Sequence, residues 1–216
     1  MTGPDAHHGR VGGDEGDLDV TPAEWERRAL YRLLTSLVVP RPIAWVSTVG
    51  EDGVANIAPH SYFNLVSSSP PHVVLGLAGV RDTLVNIRSS GEFVINVVTV
   101  EHLDAMNETS IDAPPDVDEF SLVGLTAIPS TVVGAPRLLE SPVHLECRLR
   151  HELDLGGGIM VVGEVVHIHV DQRVHRDGTA DPELLRPLAR LGHVGYATLS
   201  APMSRARPRW SDRSQD

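Results

Sequence analysis

The sequence predicts a mainly β domain, an antiparallel β-barrel with added α-helices, and three observations carry that prediction. Apolar, β-branched runs of strand length recur between residues 43 and 170, most of them bounded by Gly, Pro or Asp. The helical patterns are short and fall at crossings or near the ends of the chain. With 216 residues, 41% hydrophobic and 22% charged, the chain can fill one core and is cramped for two.

Residues 1–20 carry a net charge of −4, several Gly and no apolar period, so they read as a disordered tail before a single domain over residues 21–200. Ile43 to Val49 and Val54 to Ile57 flank Gly50-Glu51-Asp52-Gly53, a turn cluster of hairpin length. Pro59 cannot donate to a ladder, so the sheet breaks or lies at an edge there. Val73 to Leu77 is a further strand. Asp82 to Ser90 reads as a helix with Leu84 and Ile87 on one face, Asp82 as a candidate N-cap and Gly91 as its stop. Phe93 to Val98 returns to strand, and Val100 to Thr109 is helical around Leu103 and Met106. Val143 to Arg150 and Ile159 to Val170 form strands on either side of Gly156-Gly157-Gly158, with a bulge or bend at Gly163. Pro182 to Leu191 is helical after the N-cap Asp181. Residues 201–216, net +2, form a second disordered tail.

Composition excludes several functions. Eighteen cations against twenty-nine acids leave −11, so no basic face is available for nucleic acid or anionic lipid. Every cation is Arg, which removes Schiff-base chemistry and the P-loop. Cys147 stands alone, so no internal disulfide or thiolate zinc cage forms, and a location in the cytoplasm with no membrane partner is expected. There is no GxGxxG, GxSxG, HExxH or CxxC.

Three segments remain as carriers of chemistry. In Pro40-Arg41-Pro42-Ile43-Ala44-Trp45-Val46-Ser47-Thr48, two hydroxyls end a strand and a guanidinium sits between prolines; the hydroxyls serve a ligand or cap the turn. In Asn56-Ile57-Ala58-Pro59-His60-Ser61-Tyr62-Phe63-Asn64, small and polar residues replace the alternation of a covered strand. Backbone groups freed by Pro59, beside Asn and Ser, suit the edge of a heterocycle, and equally an irregular edge strand. Arg81-Asp82-Thr83-Leu84-Val85-Asn86 opens a helix whose unpaired N–H groups, with Arg81, make a phosphate cradle or an ordinary capped end.

Taken in order, PRPIAWVST, NIAPHSYFN and RDTLVNIRSSGEF resemble the flavin reductase-like family of FMN-binding split-barrel proteins, and the similarity extends from Tyr31 to Leu199. The resemblance implies a split barrel, a homodimer, and flavin bound as FMN, with FAD as the alternative. It implies that Ser47, Thr48, Asn56, Ala58, Ser61, Phe63 and Asn64 line the ring and ribityl chain, and that Arg81, Asp82, Thr83 and Asn86 face the phosphate. Arg41 matches the same pattern and either grips phosphate or braces the fold. The implied activity is hydride transfer from NADH or NADPH to flavin, with a flavin-dependent monooxygenase as a partner. The alternative is an FMN-binding electron-transfer protein without its own NAD(P)H site. No protein acid or base is required, so no catalytic side chain is assigned.

Of eleven histidines, His167 and His169 alternate on one strand face, but two ligands do not make a zinc site and no metal is expected. His193 reads as a packing or surface residue, and Cys147 as a core residue.

Overall fold

The computed structural model describes residues 17–210. The expected tail over residues 1–20 therefore falls mostly outside the described residues, as does 211–216 of the second tail; Asp17 to Val20 carries no helix or strand. Among the described residues, three short 3-10 turns, Pro22–Glu24, Val100–His102 and Gln172–Val174, and five helices accompany the strands: α1 (Arg27–Leu37), α2 (Asp82–Ser90), α3 (Leu103–Glu108), α4 (Glu119–Leu122) and α5 (Pro182–Leu185). The strands are β1 (Arg41–Pro42), β2 (Ala44–Val49), β3 (Ala55–His60), β4 (Phe63–Ser68), β5 (Pro71–Leu77), β6 (Glu92–Val97), β7 (Ala127–Ile128), β8 (Arg137–Leu138), β9 (Val143–Asp154), β10 (Ile159–Val170), β11 (His175–Arg176), β12 (Thr179–Ala180), β13 (Leu188–Arg190) and β14 (Tyr196–Thr198).

Seven strands form one antiparallel sheet in the order β3-β2-β6-β9-β10-β5-β4. Its two edge strands, β3 and β4, are consecutive in the chain and joined only by Ser61 and Tyr62, so the sheet must curl until its ends meet without a ladder between them. That is a split barrel. The β4–β5 ladder runs one residue beyond Phe63, where the Gly76 N–H donates to the Tyr62 carbonyl at 2.6 Å. A Cβ on Gly76 would lie 2.9 Å from that of Tyr62, so the close approach requires glycine. The β9–β10 register shifts twice: between Val162 and Gly163, where Arg150 of β9 is the extra residue and a methyl on Gly163 would sit 2.4 Å from Phe93 Cζ, and between Val165 and His167, where Val166 of β10 is. Overpacking of that kind costs about 1–3 kcal/mol.

Alternation along β2 sorts its side chains between two cores. Ala44 and Val46 join Val73, Leu75, Leu84, Ile87 and Phe93 inside the barrel, with Cys147 fully buried among them. Trp45 points the other way and packs with Ile57, Met106, Phe120 and Leu138 beneath α3 and α4. The same outer face of the sheet holds a polar row, Ser47, Asn96, His144 and Glu146, each almost or completely buried. These residues clip down the segment 129–142. Ser47 Oγ donates to the Pro136 carbonyl (2.5 Å), Asn96 Oδ1 accepts from Leu138 N–H (2.9 Å), and the Leu138 carbonyl faces His144 Nε2 at 2.7 Å. Glu146 accepts from the N–H groups of Thr131 (2.8 Å) and Val132 (2.7 Å). A strap whose only ladder is the two-residue pairing of β8 with β7 thereby obtains much of its remaining hydrogen bonding from side chains of the sheet.

Three expectations about the elements are corrected. The helix at Pro182 ends at Leu185, because Pro187 follows; the residue before a proline avoids the right-handed helical region, and Arg186 turns left-handed at φ 46°. Asp82 is the first residue inside α2, not its cap, which is Arg81 in extended conformation. Helix α1 and strand β4 were not expected at all. Pro59, by contrast, lies within β3 at the sheet edge, where its missing N–H breaks no ladder.

Candidate functional site

Helix α2 runs from the barrel mouth, and its first turn carries no side-chain cap. Its N-terminal end therefore presents N–H groups and a positive dipole end to a cleft of roughly 260 Å³, walled by β3 and by the loop after α3. Behind this cleft lies a polar cluster. Thr48 Oγ1 accepts from Asn56 Nδ2 and from Asn86 Nδ2, both at 3.1 Å, and Asn56 Nδ2 also reaches Thr83 Oγ1 at 3.3 Å. His60 Nε2 lies 3.4 Å from the same Thr83 hydroxyl. Burial holds the His60 imidazole neutral, with its pKa pushed down to about 4. A neutral ring carries one N–H donor and one acceptor nitrogen, and its Nε2 shares a hydrogen bond with the Thr83 hydroxyl.

Charge around the cleft is mixed. Arg81 pairs with Asp112 of the opposite loop, both side chains well exposed. Asp82 and Glu119 add two more carboxyls. Glu119 is buried, accepts from Ile57 N–H at the open edge of β3 (3.3 Å), and has its pKa raised by that burial. A second cleft, lined by Gly50, Asp52, Val85 and Asn86, adjoins the first through Asn56 and Asp82.

Of the candidate site residues, the structure brings together Asn56, Ala58, Arg81, Asp82 and Thr83 in the first cleft, with Thr48 and Asn86 behind them. It places Arg41, Ser61, Phe63 and Asn64 apart, around a cavity between α1 and β4 on the far side of the Ser61–Tyr62 link. Ser47 joins neither group, because it occupies the outer face of β2 and its hydroxyl serves the strap. Five polar or charged residues of the first cleft carried no expected role: His60, Thr109, Ser110, Asp112 and Glu119. Glu119 lies in the Val117-Asp118-Glu119-Phe120 run, but only the fold shows that it caps a strand edge beside α2. The alternating histidines also separate. His169 faces His144 across the ladder, Nδ1 to Nδ1 at 3.2 Å, and His167 Nδ1 lies 3.5 Å from Glu146. Among the described residues no group of three or more His, Cys, Asp or Glu side chains is placed to hold a metal ion.

Two buried histidines set an acid limit on stability. His60 and His144 have pKa values near 4 in the folded chain against 6.5 when free, so below pH 6.5 the unfolded chain takes up protons that the folded chain refuses. Stability is complete above that value and falls toward pH 4, by up to about 1.4 kcal/mol per pH unit for each histidine. Urea midpoints between pH 7 and pH 4 should show this slope, and His60→Asn should remove roughly half of it. A flat profile would mean that both rings are solvated.

A family model for the flavin reductase like domain matches residues 36–189. The chain belongs to that family. An uncharacterized protein of Halalkalibacterium halodurans is 36% identical over 202 residues, covering 88% of this chain and 97% of the relative. Nitrilotriacetate monooxygenase component B from Bacillus cereus, at 33% identity, superposes with a TM-score of 0.85 over 89% of this chain and 100% of that one. The 2-nitrobenzoate 2-nitroreductase of Pseudomonas fluorescens, at 28% identity, gives 0.83 over 89% and 98%. The flavin reductase like match takes in the whole lining of the first cleft and every residue from Arg41 to Asn86 discussed above, and leaves out Leu34 and Thr35 of the cavity between α1 and β4.

Proposed function

We propose that the cleft at the N-terminal end of α2 binds FMN and that the protein is a flavin reductase drawing on NADH or NADPH. The observation that carries this reading is the buried cluster Thr48-Asn56-Thr83-Asn86 directly behind an uncapped helix end flanked by Arg81. The donor set fits the group. The first-turn N–H groups of α2 and the Arg81 fork suit a phosphate, and hydroxyls and amides suit a ribityl chain and the heteroatom edge of the ring. The chemistry that FMN supplies when bound is acceptance of hydride from a nicotinamide at its isoalloxazine ring.

The chain's own part is to bind, orient and exclude water. Asn56 and Asn86 are fixed by Thr48, so their remaining amide groups meet a ligand already oriented. His60 holds the Thr83 hydroxyl and stays neutral at pH 7, adding a donor without adding charge. Arg81 meets Asp112 through Nη1, and the Asp112 charge competes with a phosphate for the same guanidinium. Likeness to a monooxygenase component B supports delivery of reduced flavin to a flavin-dependent monooxygenase. Leu65 and Val66, exposed at 60% and 56% on the edge strand β4, support a homodimer closed over the open side of the barrel, which light scattering at twice the monomer mass would establish.

Titration of the purified chain with FMN, followed by addition of NADH and of NADPH with absorbance read at the nicotinamide band, tests the reading. FMN binding with nicotinamide oxidation is the expected result; binding without oxidation favours the electron-transfer alternative, and no binding removes both. Arg81→Ala should weaken FMN by about 1–3 kcal/mol, the scale of a charge-assisted hydrogen bond. Asp112→Asn should tighten it about two- to fivefold, since an exposed ion pair is worth up to about 1 kcal/mol. Unchanged affinity in both variants would take the phosphate away from this helix end.

A further inference from the structure

Glu119 opens α4 in the wall of the first cleft, and only 4% of its surface is exposed. Its Oε2 accepts from the Ile57 N–H at 3.3 Å, a long bond from a neutral donor. Among the described residues no ion pair includes it. A buried carboxylate is costly without a cation or several donors. Glu146 is buried more deeply still, yet it accepts backbone N–H groups at 2.8 and 2.7 Å and keeps its charge. Glu119 lacks that support.

The charged and titratable groups around Glu119 favour its neutral form. Lining the same cleft, β3 carries His60, held neutral by burial, and α2 begins with Asp82 after Arg81. The Arg81 guanidinium is turned to Asp112 of the loop after α3, so much of its charge is spent there. Asp118, next to Glu119 in the chain, caps α4. Burial raises the Glu119 pKa, and the charges of Asp82 and Asp118 raise it further. A phosphate on the first-turn N–H groups of α2 stands beside Asp82 and adds between one and two negative charges to this cleft. A proton can answer that repulsion at Glu119 or at His60. On His60 it would create a buried charge, whereas on Glu119 it removes one and leaves Oε2 free to keep the Ile57 N–H. Asp82 and Asp112 are less buried, so water screens their charges.

We propose that Glu119 takes up a proton from solvent when FMN binds at the end of α2, so that a neutral acid, and not a carboxylate, shares the cleft with the phosphate. This coupling rests on the reading of the cleft as an FMN site. Calorimetric titration of the full-length chain with FMN, in buffers of unlike ionisation heat, counts the protons. A phosphate monoester has its second pKa at about 6, so at pH 8 the ligand arrives as a dianion. Up to one proton per FMN should be taken up, and affinity should fall as pH rises, by up to about tenfold per pH unit. Riboflavin, which lacks the phosphate, should bind without uptake. Glu119→Gln keeps an oxygen for the Ile57 N–H; it should abolish the uptake, flatten the pH profile and bind FMN severalfold more tightly than wild type at pH 8. An infrared difference spectrum of FMN binding should show carboxylic acid gained and carboxylate lost in wild type, and neither in Glu119→Gln. Asp82→Asn, a change at a half-buried position, leaves Glu119 in place with less repulsion, so the uptake should move to lower pH; it decides the matter even where Glu119→Gln does not fold. Affinity indifferent to pH, equal uptake with riboflavin, or uptake that persists in Glu119→Gln overturns the proposal, the last by giving the proton to the phosphate or to His60. FMN binding without uptake removes this coupling and leaves the flavin reading standing; absence of FMN binding removes both.

Discussion

Thr48→Val is expected to destabilise the protein by about 2 kcal/mol and to weaken FMN binding about tenfold, although the two side chains have nearly the same shape. Thr48 is fully buried, and its Oγ1 accepts from two amides, Asn56 and Asn86, each at 3.1 Å. Valine leaves both N–H donors facing a methyl group. A buried donor without its acceptor costs about 1–3 kcal/mol, and Asn56 recovers part of that through Thr83 at 3.3 Å. The amides then turn toward the cleft to find water, so its floor loses its fixed orientation as well as some stability. Urea unfolding at pH 7 and FMN titration measure the two effects separately. Ser47→Ala is the informative partner, because Ser47 serves the strap on the opposite face of the same strand. It should lower stability and leave FMN affinity unchanged. Equal loss of FMN affinity in both variants would mean that the cluster at Thr48 has no special relation to the ligand.

Sequence pattern sufficed for most strands because alternation and β-branching report burial directly. The turn at Gly50–Gly53, the helix from Asp82 with its Gly91 stop, and the bulge at Gly163 all lie where local chemistry places them. Helix α1 was hidden because its cap is Glu26, whose side chain accepts from Arg28 and Ala29 N–H; Ser, Thr, Asp or Asn is the usual start signal. Strand β4 was hidden because Phe63 to Ser68 lies at a sheet edge, half polar and interrupted by a bulge after Leu65. The site was legible as a set of residue types and not as a place. Adjacent positions 47 and 48 face opposite sides of a strand, and no composition argument says which side holds the ligand. Arg41 and Arg81 both read as anion grips; one is buried among carbonyls and the other is exposed against Asp112. Long-range pairings of this kind, with Asp112 of the loop after α3 reaching Arg81 and Glu119 of α4 reaching β3, follow from the curl of the sheet and leave no local trace.

Removal of the Glu146 carboxylate should have the largest effect on stability, about 3 kcal/mol or more for Glu146→Ala. A fully buried carboxyl on a strand looks like an error until its partners are counted. Burial pushes its pKa up, but the N–H groups of Thr131, Val132 and Val133 and the neighbouring His167 outweigh that and hold it below the ordinary carboxylate value. The charge thus does the work of a missing strand, gathering the strap's donors at one point. With alanine those donors and a cavity are left together, and segment 129–142 has no other acceptor of comparable strength near Thr131. Because the folded pKa is depressed, the contribution is complete above the ordinary carboxylate range and is lost as pH falls through and below it. Wild type should therefore lose stability relative to Glu146→Ala on acidification, and the gap between their urea midpoints should narrow toward pH 3. Glu146→Gln keeps one acceptor oxygen and turns an NH2 toward a backbone N–H, so it should fall between the two. Trypsin should also cut Glu146→Ala faster at Arg137, within the released strap. Equal midpoints for wild type and Glu146→Ala at pH 7 would show that the strap is held by its other ties, to Ser47, Glu92, Asn96 and His144.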